Sequence, residues 1–202
     1  TFNVKYVVSF RKLEEKGLRL VRQFPKYFSW LYEIEGTVPR TYIVSEAVFE
    51  KDPLKVLHRL SMAEFDPTRK VILDQDLAIS PTQLLEARAD IQGYENSYVT
   101  IRAVANKDAI LVLADSFYPG WRAFVDGVET KIFRANHFFR AVVLPKGEHR
   151  IEFRYEPQSF VLGAIVSIFT LACVSIISVH YSWRRRKLVT RSLVKPLQVL
   201  QD

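Results

Sequence analysis

The second half of the chain alternates between apolar and polar positions in short runs that are separated by turn residues. In HRIEFRY, for example, Ile151, Phe153 and Tyr155 fall on one face of a strand and the charged residues on the other. This alternation predicts seven strands, at residues 85–91, 98–105, 109–116, 121–126, 128–134, 138–144 and 149–155. Strands that recur about every 8–12 residues, with turn signals between them, are typical of an antiparallel β-sandwich or a Greek-key barrel.

The first part of the chain combines strand patterns with one helical pattern. Strands are predicted in FNVKYVVSF, LRLVRQF, WLYEIEG, PRTYIVSEAVF and RKVILD. A helix is predicted to begin after Asp52, because this residue type caps helices, Pro53 follows it and leucines recur at helical spacing. The expected fold class is therefore α+β and mostly β, with a small mixed α/β segment (1–80) before an antiparallel β-sandwich domain (81–158).

A long apolar run follows the last predicted strand. From Phe160 to Trp183 the chain contains no Asp, Glu, Lys or Arg. A helix of about 20 apolar residues is long enough to cross the hydrocarbon core of a bilayer. A buried helix of a globular protein is the alternative, and the uninterrupted length of the run disfavours it. We therefore predict a transmembrane helix at 159–183 and a basic tail at 184–202.

The residues at the end of this run predict its orientation. Positive charge beside a span marks the cytoplasmic side, and tyrosine and tryptophan are enriched at the interface. The predicted membrane-interface residues are Tyr181, Trp183, Arg184, Arg185, Arg186 and Lys187. We expect the tail to be cytoplasmic and residues 1–159 to be extracytoplasmic.

The charge of the chain is concentrated near the predicted membrane. The formal net charge is +7, and six basic residues with one acid fall within 184–202. Such a juxtamembrane cluster suits an anionic lipid bilayer as partner. A nucleic-acid partner is not expected, because that would require a basic stripe on the folded domain. The single cysteine, Cys173, lies in the predicted span, so no disulfide is expected in the outer domain.

The predicted span has a face of small residues. Gly163, Ser167, Thr170, Val174 and Ser178 recur every three or four positions, and such faces pack against other membrane helices. A lone anchor with scattered small residues is the alternative. Because the chain also lacks an initiator methionine and a signal peptide, we expect a fragment from the C-terminal end of a multi-span protein, with that protein's upstream helices as partners.

The stretch SFYPGWRAFVDGVETKIF contains both aromatics and turns. Asp126-Gly127 between alternating residues predicts a hairpin with a type I′ turn. A two-residue loop pairs Val125 with Val128 and, further along, Trp121 with Ile132, which places Trp121 on the apolar face. Trp121 is therefore favoured as a core residue over a sugar-stacking platform.

Four residues near this hairpin are candidates for a glycan contact: Tyr118, Arg134, His137 and Arg140. The two arginines suit a bidentate anionic group, and His137 would titrate near neutral pH. The alternative, which we favour, is a hairpin loop whose arginines pair with nearby carboxylates. The histidines lack metal-ligand spacing, so neither a metal site nor a catalytic constellation is predicted.

Three blocks of the sequence resemble the C-terminal end of the YfhO-like bacterial membrane proteins. They are LADSFYPGWRAFVDG, FRANHFFRAVVLPKGEHRIEFRYEP and the SFVLG that opens the apolar run. Phe117 and His137 stand where that family commonly has tyrosine. The resemblance covers most of the chain and is most specific in residues 115–163.

The resemblance implies a function that spacing alone does not. YfhO-like proteins resemble GT-C glycosyltransferases of the bacterial cytoplasmic membrane, which use a polyprenyl-phosphate sugar donor, and some are linked to glycosylation of lipoteichoic acid. Their catalytic carboxylate lies on an early extracytoplasmic loop, so no catalytic residue and no cofactor carries over to this chain. The expected function is that of the non-catalytic outer domain and last membrane helix of such an enzyme, with a cell-envelope glycopolymer as a further partner. The alternative is a stand-alone, membrane-anchored carbohydrate-binding or structural assembly module.

Overall fold

The computed structural model describes residues 3–62, 64–77 and 85–194, with side chains up to Trp183. The strands are β1 (Tyr6–Ser9), β2 (Leu18–Phe24), β3 (Ser29–Ile34), β4 (Thr41–Val44), β5 (Glu46–Phe49), β6 (Lys70–Leu73), β7 (Ala87–Tyr94), β8 (Tyr98–Ala105), β9 (Ala109–Ser116), β10 (Trp121–Val125), β11 (Val128–Thr130), β12 (Phe133–Ala135), β13 (Phe139–Leu144) and β14 (Gly147–Tyr155). The α-helices are α1 (Pro53–Ser61) and α2 (Gln158–Val194), and a 3₁₀ helix spans Pro25–Tyr27. The predicted fold class, mostly β with one C-terminal apolar helix, is confirmed.

The strands form three sheets, two of which enclose the main core. A five-stranded sheet has the order β11-β10-β14-β8-β7, a six-stranded sheet the order β4-β9-β13-β12-β6-β5, and β1-β3-β2 form a third. Ile101 and Phe153 from the five-stranded sheet and Leu111 from the six-stranded sheet are fully buried in one cluster. The two larger sheets therefore pack face to face, as in a sandwich.

The six-stranded sheet curls back on itself. Strands β4 and β5 are separated only by Ser45, yet they stand at opposite ends of the strand order. The single strand predicted in PRTYIVSEAVF is thus two strands, of which β4 pairs antiparallel with β9 and β5 pairs parallel with β6. The face away from the five-stranded sheet buries a second cluster that includes Val44, Val71 and Ile110.

The strands on either side of residue 80 share one sheet, which differs from the predicted division into 1–80 and 81–158. Strand β4 pairs with β9, and β6 pairs with β12, because the backbone donors and acceptors of the central strands need partners on both sides. The predicted boundary itself falls within 78–84, outside the described residues. The chain separates instead into two units, Thr1–Glu156 and Pro157–Asp202.

One predicted strand, 128–134, is divided between the two larger sheets. Strand β11 pairs with β10 in the five-stranded sheet, whereas β12 lies between β13 and β6 in the six-stranded sheet. The predicted pair of Val125 with Val128 is confirmed. The predicted pair of Trp121 with Ile132 is wrong, because the chain leaves the hairpin after Thr130 to cross to the other sheet.

The predicted turns and helix start are confirmed. Asp126 and Gly127 have φ of 50° and 82°, the left-handed values that a type I′ turn requires. Gly120 has φ of 104° where Tyr118-Pro119-Gly120 turns the chain into β10. The Asp52 carboxylate accepts hydrogen bonds from the first backbone N–H groups of α1.

Candidate functional site

Arg140 is a buried cation at the end of the main core. Arg140 is only 2 % exposed to solvent. The guanidinium extends from β13 across to the five-stranded sheet, where it lies 3.8 Å from the centroid of the Trp121 ring and 5.1 Å from that of Phe153. Contact with two aromatic faces stabilises the charge that burial has removed from water.

Asp115 neutralises this cation. It lies at the end of β9, where the register shifts so that Ala114 and Asp115 are extra residues opposite β13. A β-bulge of this kind re-aims a side chain. The Asp115 carboxylate accepts a hydrogen bond of 3.1 Å from Nη2 of Arg140 and one of 3.0 Å from the Tyr94 hydroxyl.

The pair of Arg140 and Asp115 leaves part of the guanidinium unsatisfied. Nε and Nη1 of Arg140 are buried and have no hydrogen-bond partner among the described residues. Burial lowers the pKa of the guanidinium, and the nearby Asp115 carboxylate opposes that shift. Burial, reinforced by the bond to Asp115, raises the pKa of Tyr94. The raised pKa keeps Tyr94 protonated at neutral pH, so its hydroxyl remains a hydrogen-bond donor to Asp115.

An aromatic surface extends outward from this cation, formed by Trp121, Tyr155 and Tyr118. The Trp121 and Tyr155 rings are 5.3 Å apart, and the Tyr155 and Tyr118 rings are 6.5 Å apart. Trp121 packs against the main core but is only partly buried, whereas Tyr118 is 61 % exposed. The surface thus runs from a buried charge to a solvent-facing ring.

The four candidate glycan contacts do not form one cluster. Tyr118 and Arg140 are linked through Tyr155 and Trp121. Arg134 is the cross-strand partner of Arg140, but it is exposed and lies over the Phe117 ring at 5.1 Å. Arg140 pairs with a carboxylate, as the favoured alternative expected for the arginines of this region. The glycan contacts remain predictions.

His137 belongs to a turn rather than to the aromatic surface. It follows Asn136 between β12 and β13, and both residues have positive φ. Its ring lies edge-on to Phe138, with 4.4 Å between the centroids. Asn136 is the buried residue here: its side chain accepts from the Ile72 N–H at 2.9 Å and donates to the Tyr42 hydroxyl at 3.2 Å.

The sequence-based search missed Asp115, Tyr94, Tyr155 and Asn136. One signal was available for Asp115, the first charge after the five buried positions 109–113 of a central strand. A carboxylate placed there is desolvated unless a cation reaches it. No local pattern marks the partners, because Arg140 is 25 positions away along the chain.

His149 and Asp126 form a separate polar contact that fastens the hairpin. Nδ1 of His149 is 2.6 Å from the Asp126 carboxylate and Nε2 is 3.3 Å from the Lys146 carbonyl oxygen. The bond to Asp126 raises the pKa of His149. The pKa of Asp126 is lowered by its bonds to the Arg150 N–H and to His149. Both imidazole nitrogens face acceptors, so this contact favours the imidazolium.

Helix α2 contains the predicted membrane span. Gln158–Trp183 is long and apolar enough to cross a membrane and has a mean hydropathy of 2.6 over its most apolar window. Tyr181 and Trp183 are exposed near its end. The side chains of Arg184, Arg185, Arg186 and Lys187, and all of 195–202, lie outside the described set. No group of three or more possible metal ligands occurs among the described residues.

Comparison with known proteins confirms the family resemblance. Residues 73–167 match the family described as "Bacterial membrane protein YfhO". The "Uncharacterized protein YfhO" of Bacillus subtilis (strain 168) is 27 % identical over 99 residues, which cover 49 % of this chain and 11 % of that protein. The chain therefore spans about a tenth of the length of this curated relative. No solved structure matches. Residues 73–167, which include Arg140, Asp115, the aromatic surface and the beginning of α2, are therefore similar to a family of bacterial membrane proteins.

Proposed function

We propose that this chain is the non-catalytic extracytoplasmic domain and last membrane helix of a multi-span, GT-C-like glycosyltransferase. The parent enzyme uses a polyprenyl-phosphate sugar to glycosylate a cell-envelope polymer such as lipoteichoic acid. The β-rich unit holds the acceptor polymer, and the aromatic surface of Trp121, Tyr155 and Tyr118 is its glycan contact.

The aromatic surface is the observation that carries this proposal. Sugar rings present apolar C–H faces that pack on aromatic rings, while their hydroxyl groups need polar partners nearby. Tyr118 offers an exposed ring, Trp121 is held in place by packing against the core and Arg140, and the Tyr155 ring contacts both. A surface of fixed aromatic rings loses little conformational entropy when it binds a ligand.

The membrane part of the proposal rests on α2 and the family match. The apolar segment Gln158–Trp183 is followed directly by Arg184, Arg185, Arg186 and Lys187, which supports a cytoplasmic tail and an outer β-rich unit. Gly163 has no side chain, which would permit the close approach of an upstream helix at this position.

Glycan binding tests the role of the aromatic surface. The 202-residue chain in lipid nanodiscs is titrated with oligomers of the envelope polymer, for wild type and Tyr118→Ala. We expect binding to weaken about tenfold, as for the loss of one well-placed aromatic contact. Tyr27→Ala is the matched control, because Tyr27 is 64 % exposed but lies outside the surface. Equal affinity in both variants would remove the aromatic surface from the proposal.

Labelling with a membrane-impermeant maleimide tests the topology. In a Cys173→Ala background, we expect a cysteine at Ser97, in the β7–β8 turn, to be labelled in intact cells. A cysteine at Thr190, in the tail, should be labelled only after the cells are opened. The reverse pattern would refute the extracytoplasmic placement.

Turnover separates the parent enzyme from this part of it. We expect the 202-residue chain to transfer no sugar from a polyprenyl-phosphate donor. Transfer by this chain alone would refute the non-catalytic role.

A further inference from the structure

The solvent-facing side of the five-stranded sheet carries a polar groove that is separate from the aromatic surface. It encloses about 680 Å³ above β7, β8 and β14, beside the β10–β11 turn. A second depression of about 520 Å³ shares Gln92 and Arg102 with it and continues past Val104. From Thr100 to Val104 the groove follows β8 for roughly 13 Å, so its shape suits an extended chain more than a compact ligand.

The floor of the groove is a consequence of a β-bulge. The register of β7 against β8 shifts between Ile91 and Gly93, which brings Gly93 opposite Thr100. Gly93 has no side chain to cover this position, and a Cβ added there would approach only the Thr100 hydroxyl, at 3.8 Å. The bulge and the glycine together leave the floor open.

Thr100 supplies a hydroxyl on this floor. Its neighbours Val99 and Ile101 point into the core, so its own side chain points to the groove. Thr100 as a whole residue is 7 % exposed, and its hydroxyl lies on the groove side of the sheet, opposite Gly93. A hydroxyl both donates and accepts, so it can exchange hydrogen bonds with a ligand that lies in the groove.

The walls of the groove hold donors and acceptors in fixed positions. Arg102 donates to Glu148 at 2.7 Å. On the other side Asp126 accepts from the Arg150 N–H at 2.8 Å and lies 2.6 Å from His149. These contacts hold the side chains in fixed positions. Each side chain can therefore use its remaining donors and acceptors to bind a ligand without a further loss of conformational freedom.

The charges along both depressions balance. Arg102 and Arg150 are direct cross-strand partners, an arrangement that would be repulsive without counter-charges. Each is paired with a glutamate, Glu148 or Glu152, and Arg88 is paired with Asp90. A phosphate or carboxylate would have to compete with these carboxylates, whereas a sugar hydroxyl donates and accepts and can bind between paired charges.

We propose that this groove binds an extended, neutral carbohydrate chain, with the Thr100 hydroxyl and the Arg102–Glu148 pair as its central contacts. The inference rests on the proposed function in one respect, that the β-rich unit holds a glycan. The groove adds a second glycan contact, on the face of the five-stranded sheet opposite to Trp121 and Phe153. The uncharged sugar units of the glycan are proposed to bind in this groove.

The test titrates the ¹⁵N-labelled 202-residue chain in nanodiscs with cellohexaose and maltohexaose, and separately with inorganic phosphate. We expect one hexasaccharide to shift the amide signals of Gln92, Gly93 and Thr100, and phosphate to leave them unchanged. Thr100→Val removes the hydroxyl with almost no change in shape and should weaken binding about tenfold, as for one lost hydrogen bond. Gly93→Leu, at a backbone position without positive φ, should block the floor and abolish binding.

Thr41→Val is the control, because it is the same substitution at a threonine in β4, away from the groove; the Thr41 hydroxyl is buried and has no partner among the described residues. Its affinity should equal that of wild type. A purely structural role for the Thr100 hydroxyl predicts lower stability of Thr100→Val with unchanged affinity, and that result would overturn the proposal. So would the absence of any hexasaccharide shift, or displacement of the sugar by phosphate.

The same titration distinguishes the groove from the proposed function. Binding that Tyr118→Ala removes and Thr100→Val leaves intact would overturn the groove while supporting the aromatic surface. Labelling of the cysteine at Ser97 only after the cells are opened would refute the extracytoplasmic role whatever the groove binds.

Discussion

The loss of Asp115 should destabilise the fold more than the loss of its buried partner, Arg140. The Arg140 side chain is 3 % exposed and that of Asp115 is 15 % exposed. In Asp115→Ala the guanidinium loses its bond from Nη2, and its Nε and Nη1 already lack partners. An uncompensated buried charge of this kind costs about 3–5 kcal/mol of unfolding free energy.

Arg140→Met should cost much less. The thioether can fill the space between Trp121 and Phe153. Asp115 keeps its bond from the Tyr94 hydroxyl and has Arg40 at 3.9 Å, so it is not left alone. The change also removes two unsatisfied buried donors, and we expect a loss of about 1 kcal/mol or less.

The two substitutions together give the sharpest result. Asp115→Ala destabilises the fold mainly because it leaves the buried Arg140 cation without a counter-charge. Adding Arg140→Met removes that cation and should therefore restore part of the lost stability. Urea unfolding of the 202-residue chain in detergent micelles, followed by tryptophan fluorescence, measures all three variants. Asp90→Ala is the control, since its ion pair with Arg88 is exposed and should contribute about 0.5 kcal/mol or less. Additive losses, or a cost below about 1 kcal/mol for Asp115→Ala, would refute the reasoning.

Three further predictions concern the polar contacts and turns. The bond to Asp126 raises the folded-state pKa of His149 above its ordinary 6.5, so its contribution is complete below that value and is lost as pH rises through the raised pKa. The pKa of Asp126 is lowered from 3.8, so its contribution is lost in acid as pH falls through the lowered pKa. Urea midpoints across pH should show both slopes, and His149→Gln should remove the alkaline one. Gly127→Ala, at φ of 82°, should cost about 1–2 kcal/mol in the same unfolding assay; an unchanged midpoint would contradict the type I′ turn. Asp52→Ala should cost about 1 kcal/mol and Asp52→Asn less, because only the former removes the acceptor that caps α1.

Local chemistry and periodicity determined much of this protein from the sequence. The strands at 98–105 and 109–116 were predicted at their observed bounds, because alternation with a period of two follows directly from strand geometry. The Asp126-Gly127 turn set the pairing of Val125 with Val128, since few residue pairs accept positive φ twice. The apolar run in α2 could be recognised as a possible membrane span from its length and composition alone.

The tertiary structure decided which of these strands share a sheet. The pattern in 128–134 reads as one strand, but its halves belong to different sheets, and 41–49 is likewise divided between β4 and β5. A strand pattern records which face is buried, not which neighbour buries it. The partners are therefore set by the closure of the sheets around two cores.

The candidate site shows the same limit most clearly. Arg140 was recognisable as a candidate, but its burial depends on a bulge in β9 and on Trp121 and Phe153 of the opposite sheet. The groove over Thr100 likewise exists only because Gly93 is brought opposite it. Sequence fixes what a residue can do within its own strand, whereas the burial of a charge and the opening of a cavity depend on surfaces that meet only when the sheets pack.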